Sequence, residues 1–242
     1  MPGTRTLIAI LTCVGVYCTP LSGQDSGLPV REKVVRDPQR FAGAIGAFAR
    51  QDRENGIPKG KTVFVGSSSV ARLDRETVFP DHPMTLRGLR GGRISDLNHY
   101  AEELVLQYEP SRVVFFCGGN DLWNGDTPEE VLANFDEFTK KLFQRAPRCR
   151  LIQLAIRPSM KKRTIIPLVL RTNQLLQQFA DADERIVFLR GACDRFLDED
   201  GESIEPLYHE DRNHMNASGY TIWSEIVTPH LGAPVDESQT PH

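Results

Sequence analysis

Short apolar runs alternate with longer amphipathic stretches from Lys61 almost to the end of the chain. Five of these runs predict strands, and three of the five are rich in β-branched and aromatic residues and nearly continuous in hydrophobicity. That pattern is typical of strands buried on both faces of a sheet. The predicted strands lie at 62–66, 84–88, 112–118, 150–156 and 185–190.

The stretches between the predicted strands have apolar residues at helical spacing. The clearest begins with Thr127 as the N-cap, Pro128 in the first turn and Glu130 completing a capping box. One face of this stretch is apolar and comprises Val131, Phe135, Phe138 and Leu142. The same spacing predicts helices at 95–107, 164–180 and 216–230, and another around Phe41, Ile45 and Phe48.

The repeated order of strand and helix predicts an α/β fold, because parallel strands need crossover helices. We therefore expect a three-layer α/β/α sandwich with a central, mostly parallel five-stranded sheet. The length of 242 residues, with 40% hydrophobic and 25% charged residues, suits one domain with an ample core. The net charge of -3, with both signs mixed along the chain, argues against nucleic acid as a partner.

The N-terminal segment has the pattern of a secretory signal peptide. Arg5 precedes an apolar stretch of 12 residues, and small and polar residues follow it. We expect a signal peptide at 1–23 and an exported protein, periplasmic or secreted, without a stable membrane span after cleavage; an uncleaved membrane anchor is the alternative. The rest divides into a linker and helix at 24–59, the main domain at 60–231 and a flexible tail at 232–242.

Three cysteines follow the predicted signal peptide: Cys117, Cys149 and Cys193. An odd number excludes a fully paired disulfide framework. The apolar neighbours of Cys117 indicate a buried strand residue, whereas a bridge between Cys149 and Cys193 stays open. We assign no catalytic role to these thiols.

Polar turns follow the first three predicted strands, on the sheet edge where open α/β sheets bind ligands. They contain Ser67, Ser68 and Ser69 after the first strand, two adjacent glycines after the second, and "GGND" at 118–121 after the third. A serine hydroxyl needs a neighbouring base before it can attack a carbonyl. The "DRNH" stretch offers one, because Asp211 precedes His214 by three residues and can orient its imidazole on a turn.

This ordered set resembles the blocks of the SGNH hydrolases, the superfamily of GDSL-like esterases and lipases, over about residues 60–231. The resemblance places Ser68 at the nucleophile position of the first block and Gly91 at the oxyanion glycine of the second, with Gly92 as the alternative. The third block, Gly-x-Asn-Asp, is intact with Asn120 as the side-chain oxyanion donor. The fifth block, Asp-x-x-His, is intact at 211–214.

The resemblance implies a flavodoxin-like fold and a carboxylic ester hydrolase without a metal or organic cofactor. The implied catalytic residues are Ser68, Asp211 and His214, and the implied oxyanion hole combines the amides of Ser68 and Gly91 with the Asn120 side chain. The implied substrate is a small-molecule or carbohydrate ester with a short acyl group, such as acetyl on a sugar or small alcohol. Two departures concern the subfamily: Ser67 replaces the usual Asp, and Leu86 stands where many members have Asn.

Two other classes of protein fit parts of the sequence. A metal-dependent hydrolase could use His209, Asp211 and His214 as zinc ligands. A non-catalytic carbohydrate-binding module is the second alternative; Trp123 could line either kind of site, although a core or rim aromatic is the default interpretation. We interpret Asn216 as a helix cap, although it begins a glycosylation motif. Six basic residues could lie near the site, and we favour a solvated rim for them: Arg90, Arg93, Arg157, Lys161, Lys162 and Arg163.

Overall fold

A computed structural model describes residues 29–233. Its sheet has five strands in the order β2-β1-β3-β4-β5, and every neighbouring pair is parallel. The predicted α/β sandwich is therefore confirmed, and the sheet is parallel throughout. The strands are β1 (Thr62–Gly66), β2 (Met84–Gly88), β3 (Arg112–Phe116), β4 (Arg150–Leu154) and β5 (Ile186–Leu189).

The helices lie between the strands and on both faces of the sheet. The long ones are α1 (Ala42–Asn55), α7 (Pro128–Arg145), α8 (Ile166–Asp181) and α10 (Ala217–Val227). The short ones are α2 (Ser68–Ala71), α3 (Arg75–Val78), α4 (Ile94–His99), α5 (Ala101–Leu104), α6 (Gly119–Trp123) and α9 (Gly191–Asp194). The capping box at Thr127 and Glu130 is confirmed, with both hydrogen bonds present.

Two predicted strands and one predicted helix need correction. The third and fourth strands end at Phe116 and Leu154, two residues before the predicted ends, because the chain there turns into the loops of the sheet edge. The single helix predicted at 95–107 is divided into α4 and α5, since Tyr100 leaves the helical conformation. The hydroxyl of Tyr100 donates to the Pro38 carbonyl, which ties this break to the segment before α1.

Aromatic side chains fill both layers of the core. On one face of the sheet, Trp223 of α10 stacks against Phe64 at 5.6 Å and meets Phe116 edge-on at 4.6 Å. On the other face, Phe115 packs against Phe135 and Phe138 of α7. The sheet is therefore packed between α10 and α7, and these contacts fix the positions of β1 and β3.

A buried ion pair joins α1 to the sheet. The Arg87 guanidinium lies 2.5 Å from Asp52, and the Tyr108 hydroxyl donates to the same carboxylate. Burial, and then the hydrogen bond to Asp52, raises the pKa of Tyr108 to about 12. The helix predicted upstream of the main domain is thus attached to β2 through a charged contact.

The three cysteines in the described part of the chain are free and buried. No bridge joins Cys149 to Cys193, and burial raises the pKa of each thiol to about 12. The expected signal peptide and most of the expected tail lie outside the described residues. Between residues 29 and 233, no helix is both long and apolar enough to cross a membrane.

Candidate active site

The first turn of the site brings Ser68 to the edge of the sheet directly after β1. The Ser67 N–H donates to the Phe116 carbonyl at 3.1 Å, which holds the start of the turn against β3. Glycine is required at two places beneath it. A Cβ on Gly66 would lie 2.1 Å from the Phe116 oxygen, and one on Gly88 would lie 2.2 Å from the Ala71 nitrogen. The N–H of Ser68 opens helix α2 and is not used within it.

The turn at 211–214 orients the imidazole of His214. One oxygen of the Asp211 carboxylate accepts the main-chain N–H groups of Asn213 and His214, at 3.0 and 2.9 Å. The other oxygen lies 2.5 Å from Nδ1 of His214. Arg212 adopts a left-handed conformation with φ of 56°, which closes the turn. The remaining ring nitrogen, Nε2, therefore points away from the turn.

The structure brings Ser68 and His214 into contact. Nε2 of His214 lies 3.1 Å from Oγ of Ser68. Serine, imidazole and carboxylate thus form a continuous hydrogen-bonded chain at the carboxyl end of the sheet. This is the arrangement in which an imidazole can remove the serine proton.

The surroundings of the imidazole favour its neutral form. Burial lowers the pKa of His214, Arg72 and Arg157 lower it further, and the opposing effect of Asp211 does not restore it. Burial alone would raise the pKa of Asp211, but hydrogen bonds from the His214 ring and from the amides of His214 and Asn213 lower it overall. The pair is therefore a neutral base beside an ionised carboxylate at neutral pH.

Helix α10 follows the turn at 211–214 and connects it to the Ser68 helix. Asn216 caps the helix, accepting the Gly219 N–H at 3.2 Å, which agrees with the capping interpretation of this residue. The Tyr220 hydroxyl donates to the Ser69 carbonyl at 2.7 Å. The helix that follows the base is therefore bonded to the helix that carries Ser68.

The turn after β2 leaves one glycine amide free. The N–H of Gly92 donates to the Leu89 carbonyl at 2.9 Å, whereas the N–H of Gly91 has no hydrogen-bond partner among residues 29–233. Gly91 is exposed and has a φ of 75°, the left-handed region that favours glycine. Of the two glycines, Gly91 therefore has the N–H that is available to donate to a ligand.

The turn after β3 places the Asn120 amide beside this glycine turn. Its Nδ2 donates to the Gly92 carbonyl at 3.0 Å, and its Oδ1 accepts from Nζ of Lys162 at 2.8 Å. Gly118 precedes it with a φ of 119°, and a Cβ there would lie 2.4 Å from the Ile156 side chain. The chain can enter α6 at this point only with glycine.

Asp121 is buried in the first turn of α6 and bonds to the start of α4. Helix α6 begins at Gly119, so that Asp121 lies inside it and is fully buried. Its carboxylate accepts the Ile94 N–H at 2.8 Å, and burial raises its pKa to about 7.

The expected solvated rim of basic residues is correct for half of the set. Arg90, Lys161 and Arg163 are exposed. The prediction is wrong for the other three, which are buried or half-buried and donate to oxygen acceptors. Arg93 donates to the Val34 carbonyl, Arg157 to the Pro158 and Asn213 carbonyls, and Lys162 to the Asn120 side chain.

The segment before α1 lies across α6. Arg31 stacks on the Trp123 ring at 3.9 Å and donates to the Trp123 carbonyl. The Val34 N–H donates to the Asn124 carbonyl at 2.8 Å. Trp123 therefore lies under this segment and next to Lys162, whose Nζ is 5.7 Å from the ring centre.

A metal centre at His209, Asp211 and His214 has no structural counterpart. Within residues 29–233, no group of three or more His, Cys, Asp or Glu side chains is arranged to hold a metal ion. His209 is exposed, and Asp211 is engaged with His214.

The sequence profile of the GDSL-like Lipase/Acylhydrolase family matches residues 63–222. The chain belongs to this family. It is accordingly a carboxylic ester hydrolase, as the SGNH resemblance implies. A comparison with curated protein sequences found no significant match.

Solved structures of similar fold include other GDSL-like proteins. A Streptococcus pneumonia protein provisionally described as a platelet activating factor has a TM-score of 0.71 at 20% identity, covering 80% of this chain and 94% of that one. A GDSL-like lipase from Bacteroides thetaiotaomicron has a TM-score of 0.63 at 19% identity, with coverage of 81% and 97%. Axe2, an acetylxylan esterase from Geobacillus stearothermophilus, has a TM-score of 0.56 at 16% identity, with coverage of 73% and 96%.

The contacts of Lys162 with Asn120, of Arg157 with Asn213 and of Arg31 with Trp123 were not predicted from the sequence. The only signal for the first two is that basic residues follow β4 directly, at an edge where a charge needs a partner. Nothing in the polar stretch around Arg31 indicates that it contacts the GDSL-like domain.

Proposed function

We propose that this chain is a serine esterase that removes a short acyl group, such as acetyl, from a carbohydrate or small alcohol. The observation that carries the proposal is the 3.1 Å contact between Oγ of Ser68 and Nε2 of His214, in an imidazole whose Nδ1 is held by Asp211. Membership of the acylhydrolase family supports the ester as the bond that is cleaved.

In the proposed reaction, His214 removes the Ser68 proton while Oγ attacks the ester carbonyl. The tetrahedral intermediate collapses to an acyl-serine, and His214 returns the proton to the departing alcohol. Water then attacks the acyl-serine by the same route, releasing the acid and restoring Ser68. Asp211 keeps the proton of the neutral imidazole on Nδ1 and stabilises the imidazolium formed in each step.

Three donors are available for the proposed oxyanion hole. Within residues 29–233 the main-chain N–H groups of Ser68 and Gly91 donate to no acceptor, and Asn120 keeps one N–H beyond the bond that it donates to Gly92. Donors fixed before reaction stabilise developing charge without reorganisation. We therefore assign the oxyanion hole to the Ser68 and Gly91 amides and the Asn120 side chain, and prefer Gly91 to Gly92.

The acyl group and alcohol are proposed from the surroundings and the relatives. Polar and charged side chains contact the residues proposed for catalysis: Asn213 lies 3.5 Å from Nε2 of His214, and Lys162 donates to Asn120. One structural neighbour is described as an acetylxylan esterase and another as a family 3 carbohydrate esterase. A cavity of about 690 Å³ beside α2 is lined by Val70 and Ala71 rather than Ser68, and by apolar and arginine side chains.

The test combines nucleophile replacement with covalent labelling. Ser68→Ala should abolish hydrolysis of p-nitrophenyl acetate and labelling by a fluorescent phosphonate, while Ser69→Ala, which changes a neighbouring hydroxyl, should keep both. Unchanged hydrolysis by the Ser68→Ala protein would refute the nucleophile assignment. Sugar binding without labelling of the unmodified protein would favour a carbohydrate-binding module instead.

Chain length and oxyanion donation need separate measurements. Acetyl esters should be hydrolysed faster than octanoyl esters; the reverse order would reject the short-acyl proposal and favour the 690 Å³ cavity as the acyl site. Asn120→Ala should lower kcat by about 100-fold to 1000-fold. A change confined to KM would contradict its role as an oxyanion donor.

A further inference from the structure

The ammonium group of Lys162 is bonded directly to the Asn120 side chain. Lys162 lies in the 3-10 turn Met160–Ile165, between β4 and α8, and its Nζ donates to Oδ1 of Asn120 at 2.8 Å. No carboxylate among residues 29–233 lies within 4.0 Å of this nitrogen. The lysine therefore has an amide rather than an acid as its nearest polar partner.

The two partners of the Asn120 amide dictate the same orientation. The Gly92 carbonyl can only accept, so that the NH2 end must face it, and an ammonium group can only donate, so that the oxygen end must face Lys162. A rotation of the amide by half a turn would break both bonds. It would also present an acceptor oxygen, instead of an N–H donor, to a developing oxyanion.

The surroundings of Lys162 are unfavourable for a charged side chain. Lys162 is half-buried, and burial, followed by the nearby Arg157, lowers its pKa to about 8. The Trp123 ring at 5.7 Å offers a cation–π contact. The ammonium charge next to the Asn120 amide oxygen also polarises the amide, which makes its NH2 group a stronger hydrogen-bond donor.

We propose that Lys162 is a positioning residue that fixes and polarises the Asn120 amide for oxyanion stabilisation. The inference rests on the proposed function, because it takes Asn120 as a donor to the oxyanion. Lys162 acts through Asn120 and does not need to touch the substrate. The charge supports the transition state more than the bound ester, so the effect falls on kcat.

The first test compares Lys162→Met with two other lysine variants. Lys162→Met should lower kcat by about 10-fold to 100-fold and change KM by less than about threefold. Lys162→Arg should retain most of kcat, since a guanidinium is also a pure donor. Lys161→Met, which removes the exposed charge next to it, should leave both constants unchanged. A wild-type kcat in the Lys162→Met protein would overturn the proposal.

A double-mutant cycle decides whether the lysine acts through Asn120. In the Asn120→Ala background, Lys162→Met should cause no further loss of kcat, because the amide it orients is gone. Additive losses would reject the positioning role. If Lys162→Met fails to fold, Lys162→Gln replaces it in the same cycle. The two failures can be told apart. If the Ser68→Ala protein remains active, the proposed function is wrong. If the Ser68→Ala protein is inactive but the cycle shows additive losses, only the role of Lys162 is wrong.

The alkaline limb of kcat is a further measurement that a purely structural lysine would not affect. The charged and titratable groups facing Lys162 are Arg157 and Lys161 from its own loop and Asp121 and Cys117 from the end of β3 and α6. Wild-type kcat should fall above about pH 8 as the ammonium loses its proton, and Lys162→Arg should remove this fall. The same limb in both proteins would contradict the proposal.

Discussion

The buried carboxylate of Asp121 accepts a hydrogen bond of 2.8 Å from the main-chain N–H of Ile94. Asp121 directly follows Asn120, and Ile94 begins α4 just after the turn that contains Gly91. One carboxylate therefore fixes the distance between two of the proposed oxyanion donors. Because Asp121 is fully buried, we assign it a structural role, which is to hold the Gly91 turn and Asn120 next to each other.

Removal of this carboxylate should loosen the turn before α4. Asp121→Ala leaves the buried Ile94 N–H without its acceptor, which should cost about 1–3 kcal/mol of the free energy of unfolding. Asp121→Asn retains an acceptor oxygen and serves as the matched control. Urea unfolding of both variants measures the difference, and equal midpoints would contradict the role of the hydrogen bond.

The same carboxyl predicts a pH effect on stability. Its pKa is raised from 3.8 to about 7, so between these values the native protein holds a proton that the unfolded chain has lost. The free energy of unfolding should therefore fall as pH rises through this window. Asp121→Asn lacks the titration, so its Tm relative to the wild type should increase from about pH 4 to about pH 8. A constant difference would show that Asp121 is ionised in the fold.

The acid limb of activity should follow His214. The imidazole must be neutral to accept the serine proton, and its pKa lies below the usual 6.5, so kcat/KM should rise with pH to a midpoint below that value. Because Arg72 helps to lower this pKa, Arg72→Gln should move the midpoint to higher pH. Arg75→Gln, whose charge is paired with Glu76, is the control and should leave the midpoint in place. Coincident acid limbs in the Arg72→Gln and wild-type proteins would argue against this electrostatic effect.

Gly88 should be intolerant of any side chain. A Cβ there would lie 2.2 Å from the Ala71 backbone nitrogen, and backbone cannot yield as a flexible side chain can. Gly88→Ala should displace α2 and lower the free energy of unfolding by about 1–3 kcal/mol, with loss of activity. Gly46→Ala in α1, where the nearest atom is 3.9 Å away, should instead stabilise by about 0.5–1 kcal/mol. Similar melting temperatures for the two variants would contradict the close approach.

The contact between Arg31 and Trp123 should contribute to both stability and rate. Arg31→Ala removes a stacking interaction worth about 0.5–2 kcal/mol and a hydrogen bond to the Trp123 carbonyl. Because Trp123 ends the helix that carries Asn120, a modest decrease in kcat should accompany the loss of stability. Arg36→Ala, an exposed arginine of the same segment, is the control for charge alone. An unchanged melting temperature for Arg31→Ala would show that the segment contributes nothing.

The sequence predicts the layers of the fold because strands and helices have different periods. The meeting of Ser68, Asp211 and His214 is implied by the resemblance to the SGNH blocks, because Asp211 and His214 lie in a loop before α10 and not at the end of a strand. The spacing Asp-x-x-His is sufficient to place carboxylate and imidazole on one turn.

Contacts that depend on loop geometry are not visible in the sequence. The path of residues 157–163 brings Lys162 to Asn120, and nothing in their hydrophobic pattern encodes that path. Arg93 and Asp121 appear as ordinary polar residues until their main-chain partners are known. The Tyr100 hydroxyl, at the break between α4 and α5, bonds to the Pro38 carbonyl, which is 62 residues away along the chain and is not indicated by the hydrophobic pattern.

The loop between β4 and α8 touches both halves of the proposed machinery. Arg157 holds the Asn213 carbonyl beside the base, and five residues later Lys162 holds the oxyanion donor. Engineering this loop to admit a different alcohol would therefore alter proton transfer and charge stabilisation at the same time. Selectivity and turnover are linked here through a single stretch of chain, and variants selected for a new substrate should be screened for rate from the first round.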